Sequence, residues 1–209
     1  DLHSMTAASV FGIPYEEAKT KYKEQRQAAK IGNFSIIYGI NPIALMNRLK
    51  ADGVDADEEL SKKIIDGFYQ TYSGAKKWLF GQERLILRDN KLRGLGGHLM
   101  NVSLVRGDKR SERSAGRDAR NWPIQNLNAV STKRAMKLIH DKFIENNIDN
   151  SCFMVLPVHD ELIAQSTENY AEVACQIVKW GMEAAGQEYL KKVKVVAEAQ
   201  VCDNWGEKG

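Results

Sequence analysis

Cysteine is scarce and scattered. Cys152, Cys175 and Cys202 are the three in 209 residues, and no two form a C-x-x-C pair. Such spacing offers neither a zinc-ligand set nor a disulfide framework, and it reads as reduced thiols of an intracellular protein. No signal peptide and no apolar run of membrane-spanning length are visible, so secretion and membrane insertion gain no support. Internal repeats and low-complexity linkers are also missing. The net charge of +3 is too small to mark the whole chain as a polyanion binder. What remains is ordinary globular composition, 43% hydrophobic and 27% charged, in a length that can bury a core in one or two domains.

The charge is unevenly placed. Lys19 to Lys30 is strongly basic, and Arg106, Lys109, Arg110, Arg113, Arg117 and Arg120 form a second basic stretch. Either is a plausible phosphate footprint or a solvated surface. Acidic residues gather in Asp52 to Glu59 and in the later helices.

Within the first basic stretch, Arg26, Lys30, Phe34 and Tyr38 recur every four residues, and Gly39 follows. At 1.5 Å and 100° per residue this makes one drifting stripe about 18 Å long on a helix. Two cations followed by a phenyl ring and a phenol suit a nucleoside triphosphate lying along the helix. Guanidinium and ammonium pair phosphates, and flat rings stack on any base. The spacing equally fits an amphipathic helix with Phe34 and Tyr38 in the core and its cations in water.

The apolar periodicity and turn residues predict an α+β protein, helices first and a hairpin-plus-helix unit last. Helices are expected over about Ser4 to Phe11, Glu24 to Tyr38 and Pro42 to Lys50, with a long helical region from Asp55 to about Arg88. Leu92 to Val105, rich in glycine, reads as a loop or irregular hairpin. A helix then runs from Asn121 or Pro123 to Asn146. Strands Cys152 to Val158 and Glu161 to Gln165 flank His159-Asp160, and a helix follows over Glu168 to Leu190. A third, valine-rich strand is expected at Val193 to Val201, and a domain boundary near residue 118.

In this order the motifs resemble those of family A DNA polymerases, the bacterial and phage DNA polymerase I type. Arg26, Lys30, Phe34, Tyr38 and Gly39 fill that family's R-x-x-x-K-x-x-x-F/Y-x-x-x-Y-G helix. DLHSMTAASVFGIP at the start is similar to the segment before it. FYQTYSGAKKW (Phe68 to Trp78) resembles the F-x-x-x-Y-P-G helix, with Ser73 where Pro is usual. RDARNWPIQN (Arg117 to Asn126) resembles R-x-x-x-N-x-P-x-Q, VHDEL (Val158 to Leu162) the metal-binding hairpin, and DNW (Asp203 to Trp205) the usual ending. The resemblance covers essentially the whole chain.

It implies a mostly helical fingers subdomain over residues 1–118. The C-terminal part of the palm follows over 119–209, with an antiparallel β-hairpin, a third strand and packing helices. It implies transfer of dNMP from dNTP to a primer 3′-hydroxyl, templated by DNA, with two Mg²⁺ ions. Asp160 is implied as a metal ligand, Glu161 as a secondary catalytic carboxylate and His159 as a group near the primer terminus, although a lone His-Asp-Glu is equally a polar hairpin turn. Arg26 and Lys30 are implied to hold the nucleotide's phosphates, Lys30 also assisting pyrophosphate departure. Phe34 is placed opposite the sugar and Tyr38 at the template-base position. Phe34 lacks the hydroxyl that favours dideoxynucleotide use, which implies discrimination against such terminators. Arg117, Asn121 and Gln125 share a four-residue period suited to minor-groove acceptors found in every base pair, or to helix capping and surface hydrogen bonds.

Several residues depart from the pattern. Gln27 replaces a common second arginine, Ser35 replaces a glycine, and Gly32 lies mid-helix at a cost of about 1 kcal/mol relative to Ala. LGGH (Leu95 to His98) matches the family's glycine-arginine loop too loosely to carry a function. The D-Y-S-x-x-E strand that bears the family's first catalytic carboxylate is not found in the sequence. The expectation is therefore a polymerase fragment without that strand, the thumb or an exonuclease, bacterial or phage and cytoplasmic, inactive until an N-terminal polymerase portion joins it in the same protein or in trans. A non-enzymatic DNA-binding remnant and an unrelated metal-dependent phosphohydrolase around His159, Asp160 and Glu161 are the competing readings.

Overall fold

The computed structural model describes residues 1–207. Its elements run α1 (Leu2–Phe11), α2 (Lys23–Ile37), α3 (Pro42–Ala51), α4 (Glu58–Thr71), α5 (Ser73–Asp89), β1 (Lys91–Arg93), β2 (Leu99–Asn101), α6 (Lys109–Glu145), β3 (Cys152–Val158), β4 (Glu161–Ser166) and α7 (Ala171–Tyr189). The α+β class is as expected. The chain divides into two compact units. The first comprises Asp1–Arg93 with Leu99–Pro123, and the second Gly94–His98 with the chain from Ile124 onward.

In the first unit, local chemistry sets the helix ends. Asp1 caps α1 by accepting from the His3 amide at 3.1 Å, and Gly12 closes it at φ 68°. Asn41 caps α3 through the Ala44 amide at 2.9 Å, with Pro42 in the first turn where its missing N–H costs nothing. Asp57 caps α4 through the Leu60 amide at 2.7 Å, and Glu58 and Glu59 follow where the helix dipole favours negative charge. The long helical region expected from Asp55 to Arg88 is in fact two helices, α4 and α5. They break at Tyr72, whose ψ of 59° leaves the helical region.

Val10, Ala28, Ile31, Ile36, Leu45, Leu49, Ile64 and Phe68 form the core among α1 to α4. Two glycines let these helices approach closely. A Cβ on Gly32 would stand 2.4 Å from Ile64 Cγ2, and one on Gly67 2.6 Å from Val10 Cγ2. A smaller core, with Ile86, Leu92, Ala115 and Ala119, lies under the short β1–β2 hairpin.

The second unit packs the C-terminal part of α6, the β3–β4 hairpin and α7 around Ile139, Phe143, Cys152, Ile177, Val178 and Ala185. Gly181 of α7 lies where a Cβ would be 2.4 Å from Ile139 Cγ1.

Two further expectations are corrected here. Helix α6 begins at Lys109, more than three turns before Asn121, and carries Pro123 in its interior. The proline removes one backbone donor and not the whole helix. Val193–Val201 is not a strand among the described residues, for no neighbouring strand pairs with it. Its amides turn to α7 instead: Val195 N donates to Gln187 Oε1 at 3.2 Å and Ala197 N to Glu183 Oε1 at 3.1 Å. β-Branched residues favour an extended backbone, but a strand needs a ladder partner. Among the described residues, no helix is long and apolar enough to cross a membrane.

Gly32→Ala should destabilise the first unit. Helix propensity would gain about 1 kcal/mol, but the new methyl group overlaps a branched core side chain, and overpacking costs about 1–3 kcal/mol. A lowered thermal midpoint is the expected result. A raised midpoint would show that α2 and α4 have slack at this contact.

Candidate functional site

Helix α2 sorts its side chains by size. Ala28, Ala29, Ile31, Gly32, Asn33, Ser35 and Ile36 are buried. The opposite face presents Lys30 in solvent, with Phe34 52% and Tyr38 50% exposed. These exposures exclude the arrangement in which the two rings belong to the core. Arg26, Lys30 and Phe34 stand within α2, and Tyr38 is its C-terminal cap residue. The chain then leaves through Gly39 at φ 72°, a left-handed conformation that favours glycine.

Arg26 is not free. Its Nε and Nη2 donate to Asp1 Oδ2 at 2.9 and 2.7 Å, and Nε also lies 3.2 Å from Ser4 Oγ. Lys19 is 3.8 Å from the same carboxylate. Lys19, Lys23, Arg26 and Gln27 line an open, polar pocket of about 400 Å³. Lys30 makes no ion pair among the described residues, so its charge is available along the stripe.

His3 belongs to this face, and the spacing of the sequence did not disclose it. Its ring lies 5.6 Å from that of Phe34, tilted by 45°. Buried Asn33 turns Oδ1 toward the Thr6 hydroxyl at 3.0 Å and places Nδ2 3.0 Å from His3 Nδ1. Nδ2 then donates and the ring proton sits on Nε2. Burial first, then the charges of Arg26 and Lys30, push the His3 pKa below 6.5. Ser35 brings a different cost: its hydroxyl is buried without a hydrogen-bond partner among the described residues.

Arg117 and Asn121 lie in the part of α6 within the first unit, Arg117 exposed and Asn121 half-buried. Arg117 reaches the end of α2, since a Cβ on Gly39 would meet its Cγ at 3.2 Å. Gln125, exposed, falls in the part of α6 within the second unit.

The second unit carries His159, Asp160 and Glu161. Strands β3 and β4 pair Val158 with Glu161, so His159 and Asp160 are the two-residue loop of a hairpin. His159 adopts φ 53°. A side chain at a positive φ costs energy that glycine avoids, and in two-residue hairpin loops glycine is the usual choice there. Asp160 is exposed at the loop, and Glu161 begins β4, half-buried. Among the described residues, no three His, Cys, Asp or Glu side chains gather into a metal-binding group. The exposed Asp160 carboxylate is thus a single hard-oxygen donor, short of the ligand set a divalent ion takes.

Comparison with known proteins bears on this arrangement. The family model described as DNA polymerase family A matches residues 1–207. The chain is 30% identical to DNA polymerase I of Rhizobium leguminosarum over 99% of its own length and 20% of that protein's. It is 30% identical to DNA polymerase I of Aquifex aeolicus, covering 98% of this chain and 33% of the relative. The thermostable DNA polymerase I of Thermus aquaticus is 27% identical over 98% of this chain and 23% of the relative. The chain thus spans a fifth to a third of these relatives. Its fold matches a structure of the polymerase domain of Pol1 from M. smegmatis, in complex with DNA primer-template and dNTP. There the TM-score is 0.75 and the identity 24%, over 88% of this chain and 31% of that one.

The depressed His3 pKa links protonation to stability. The native state favours the neutral ring, so its contribution is present above pH 6.5 and is lost as pH falls through the lower folded value. NMR titration should place His3 below 6.5, and His3→Gln should flatten the fall in unfolding free energy between neutral and mildly acid pH. Titration above 6.5 would contradict the burial assigned to the ring.

Proposed function

Because the chain belongs to DNA polymerase family A, we propose that it supplies the nucleotide-binding and one metal-binding portion of a DNA-directed DNA polymerase. In this reading residues 1–118 are fingers and residues 119–209 the C-terminal part of the palm. The observation that carries it is the exposed face of α2, where two cations and two rings stand in the order a nucleoside triphosphate needs.

Lys30, without an ion-pair partner among the described residues, holds phosphate oxygens and neutralises charge that builds on the departing pyrophosphate. Arg26 reaches the terminal phosphate by exchanging the Asp1 carboxylate for it. Phe34, steadied by His3, lies against the sugar, and Tyr38 occupies the template-base position. Arg117, Asn121 and Gln125 contact the minor groove of the primer-template, and His159 the primer terminus.

Asp160, with Glu161 beside it, is one carboxylate of a site for Mg²⁺, two ions serving the complete enzyme. When bound, Mg²⁺ supplies activation of the primer 3′-hydroxyl and neutralisation of the leaving phosphates. One aspartate leaves such a pair short of protein ligands, so a second carboxylate comes from a further polymerase portion, in the same protein or in trans. The chain by itself is inactive in primer extension.

Equilibrium binding of a dNTP in Mg²⁺, with and without primer-template, tests the α2 assignment. Binding should tighten with primer-template. Lys30→Ala should weaken it about tenfold or more, the value of a charged hydrogen bond, and Arg26→Ala should weaken it also. Wild-type affinity in both variants would contradict the assignment.

A further inference from the structure

A second group of residues in the first unit meets the same helix from its C-terminal side. Arg120 of α6 is 9% exposed, a rare state for a guanidinium unless it is paired. Its Nε donates to Glu83 Oε2 of α5 at 3.1 Å, and Nη2 bonds the same oxygen. The guanidinium carbon lies 4.6 Å from the ring centroid of Phe80, also on α5. Tyr69 of α4 stands 5.6 Å from Phe80, tilted by 52°. Gly116 makes room for the carboxylate, since a Cβ there would lie 3.0 Å from Glu83 Cγ and Oε1. Pairing and stacking together leave this side chain one orientation.

That orientation aims Arg120 at the turn after α2. A Cβ on Gly39 would stand 3.2 Å from Arg120 Nη1. This turn closes by tight backbone bonds, Gly39 N to Ile36 O at 2.9 Å and Ile40 N to Ser35 O at 3.3 Å. The last carbonyls of a helix carry partial negative charge, which a cation stabilises. Ile40, the next residue, packs against the core. The corner that bears Tyr38 thus has apolar packing at Ile40 and a paired guanidinium beside Gly39.

We propose that Arg120, locked by Glu83 and Phe80, is a positioning residue that fixes the C-terminal corner of α2 and thereby sets where the Tyr38 ring stands when nucleotide is bound. The functional part rests on the nucleotide-binding reading of α2. Arg120 touches neither nucleotide nor template. It acts through Gly39, and Glu83 acts through Arg120.

The test uses the full chain with 3-fluorotyrosine at position 38, read by ¹⁹F NMR and by dNTP binding in Mg²⁺ with primer-template. Glu83→Gln is isosteric and keeps an acceptor, so the fold is retained while the charge that locks Arg120 is lost. Arg120→Lys keeps the charge and loses the fork and the stacking. Both should shift or broaden the Tyr38 resonance at an unchanged helical circular dichroism spectrum. Both should also weaken dNTP binding about tenfold, as small misplacements of a binding group do. A wild-type resonance retained in Arg120→Lys would show that charge alone suffices and overturn the proposed lock. So would an unchanged resonance and affinity in Glu83→Gln. Lys30→Ala serves as the control: if it fails to weaken binding, the nucleotide reading falls, and the Tyr38 resonance still decides whether Arg120 positions the corner.

Discussion

At Gly32, α2 comes so near α4 that a methyl group has no room beside Ile64. This approach settles which way the helix faces. Its small residues, Ala28, Ala29, Gly32 and Ser35, are pressed inward, and the long cations and the rings at Lys30, Phe34 and Tyr38 are left outside. A glycine inside a helix costs about 1 kcal/mol in propensity, and here close packing offsets that cost. The buried amide of Asn33 continues the same logic, since its partners Thr6 and His3 tie α1 to α2 and bring the imidazole against Phe34. Fold and candidate site are therefore one arrangement in the first unit: the packing that excludes water beneath α2 is what presents a ringed, cationic face above it.

Charge along that face is graded. Arg26 is engaged by Asp1, Lys30 makes no ion pair among the described residues, and at the far end Arg117 and Arg120 approach Gly39. The half-buried pair at Glu83 spends its attraction on orientation, because bringing two charges out of water cancels much of what their contact returns. A guanidinium with one orientation is of more use to the end of a helix than a mobile cation of equal charge.

Much of this was legible in the sequence. The four-residue period placed α2 within a residue of its observed ends, and the strand-like runs around His159-Asp160 gave the β3–β4 hairpin closely. Where the reading failed, the deciding information was not local. Val193–Val201 has the composition of a strand, but its hydrogen bonds go to Gln187 and Glu183, a matter of which neighbour is present. Helix α6 runs through Pro123, which a propensity rule treats as a start, while the break at Tyr72 is announced only by the Ser73-Gly74 pair that follows it, a weak turn signal inside an otherwise helical run. The exposure of Phe34 and Tyr38 was equally open, because periodicity gives a stripe without saying which side the core lies on. His3 and Arg120 were invisible for a related reason: each acts through residues about 30 or more positions away.

Primer extension tests most directly whether the α2 face and the Asp160 carboxylate serve one reaction, as proposed. The chain would be mixed with the N-terminal polymerase portion of a family A relative, Mg²⁺, primer-template and four dNTPs. Extension on mixing, absent from either part alone and abolished by Asp160→Ala, is the expected result. Extension that survives Asp160→Ala undiminished would contradict the account, since the hairpin would then hold no ligand the reaction needs.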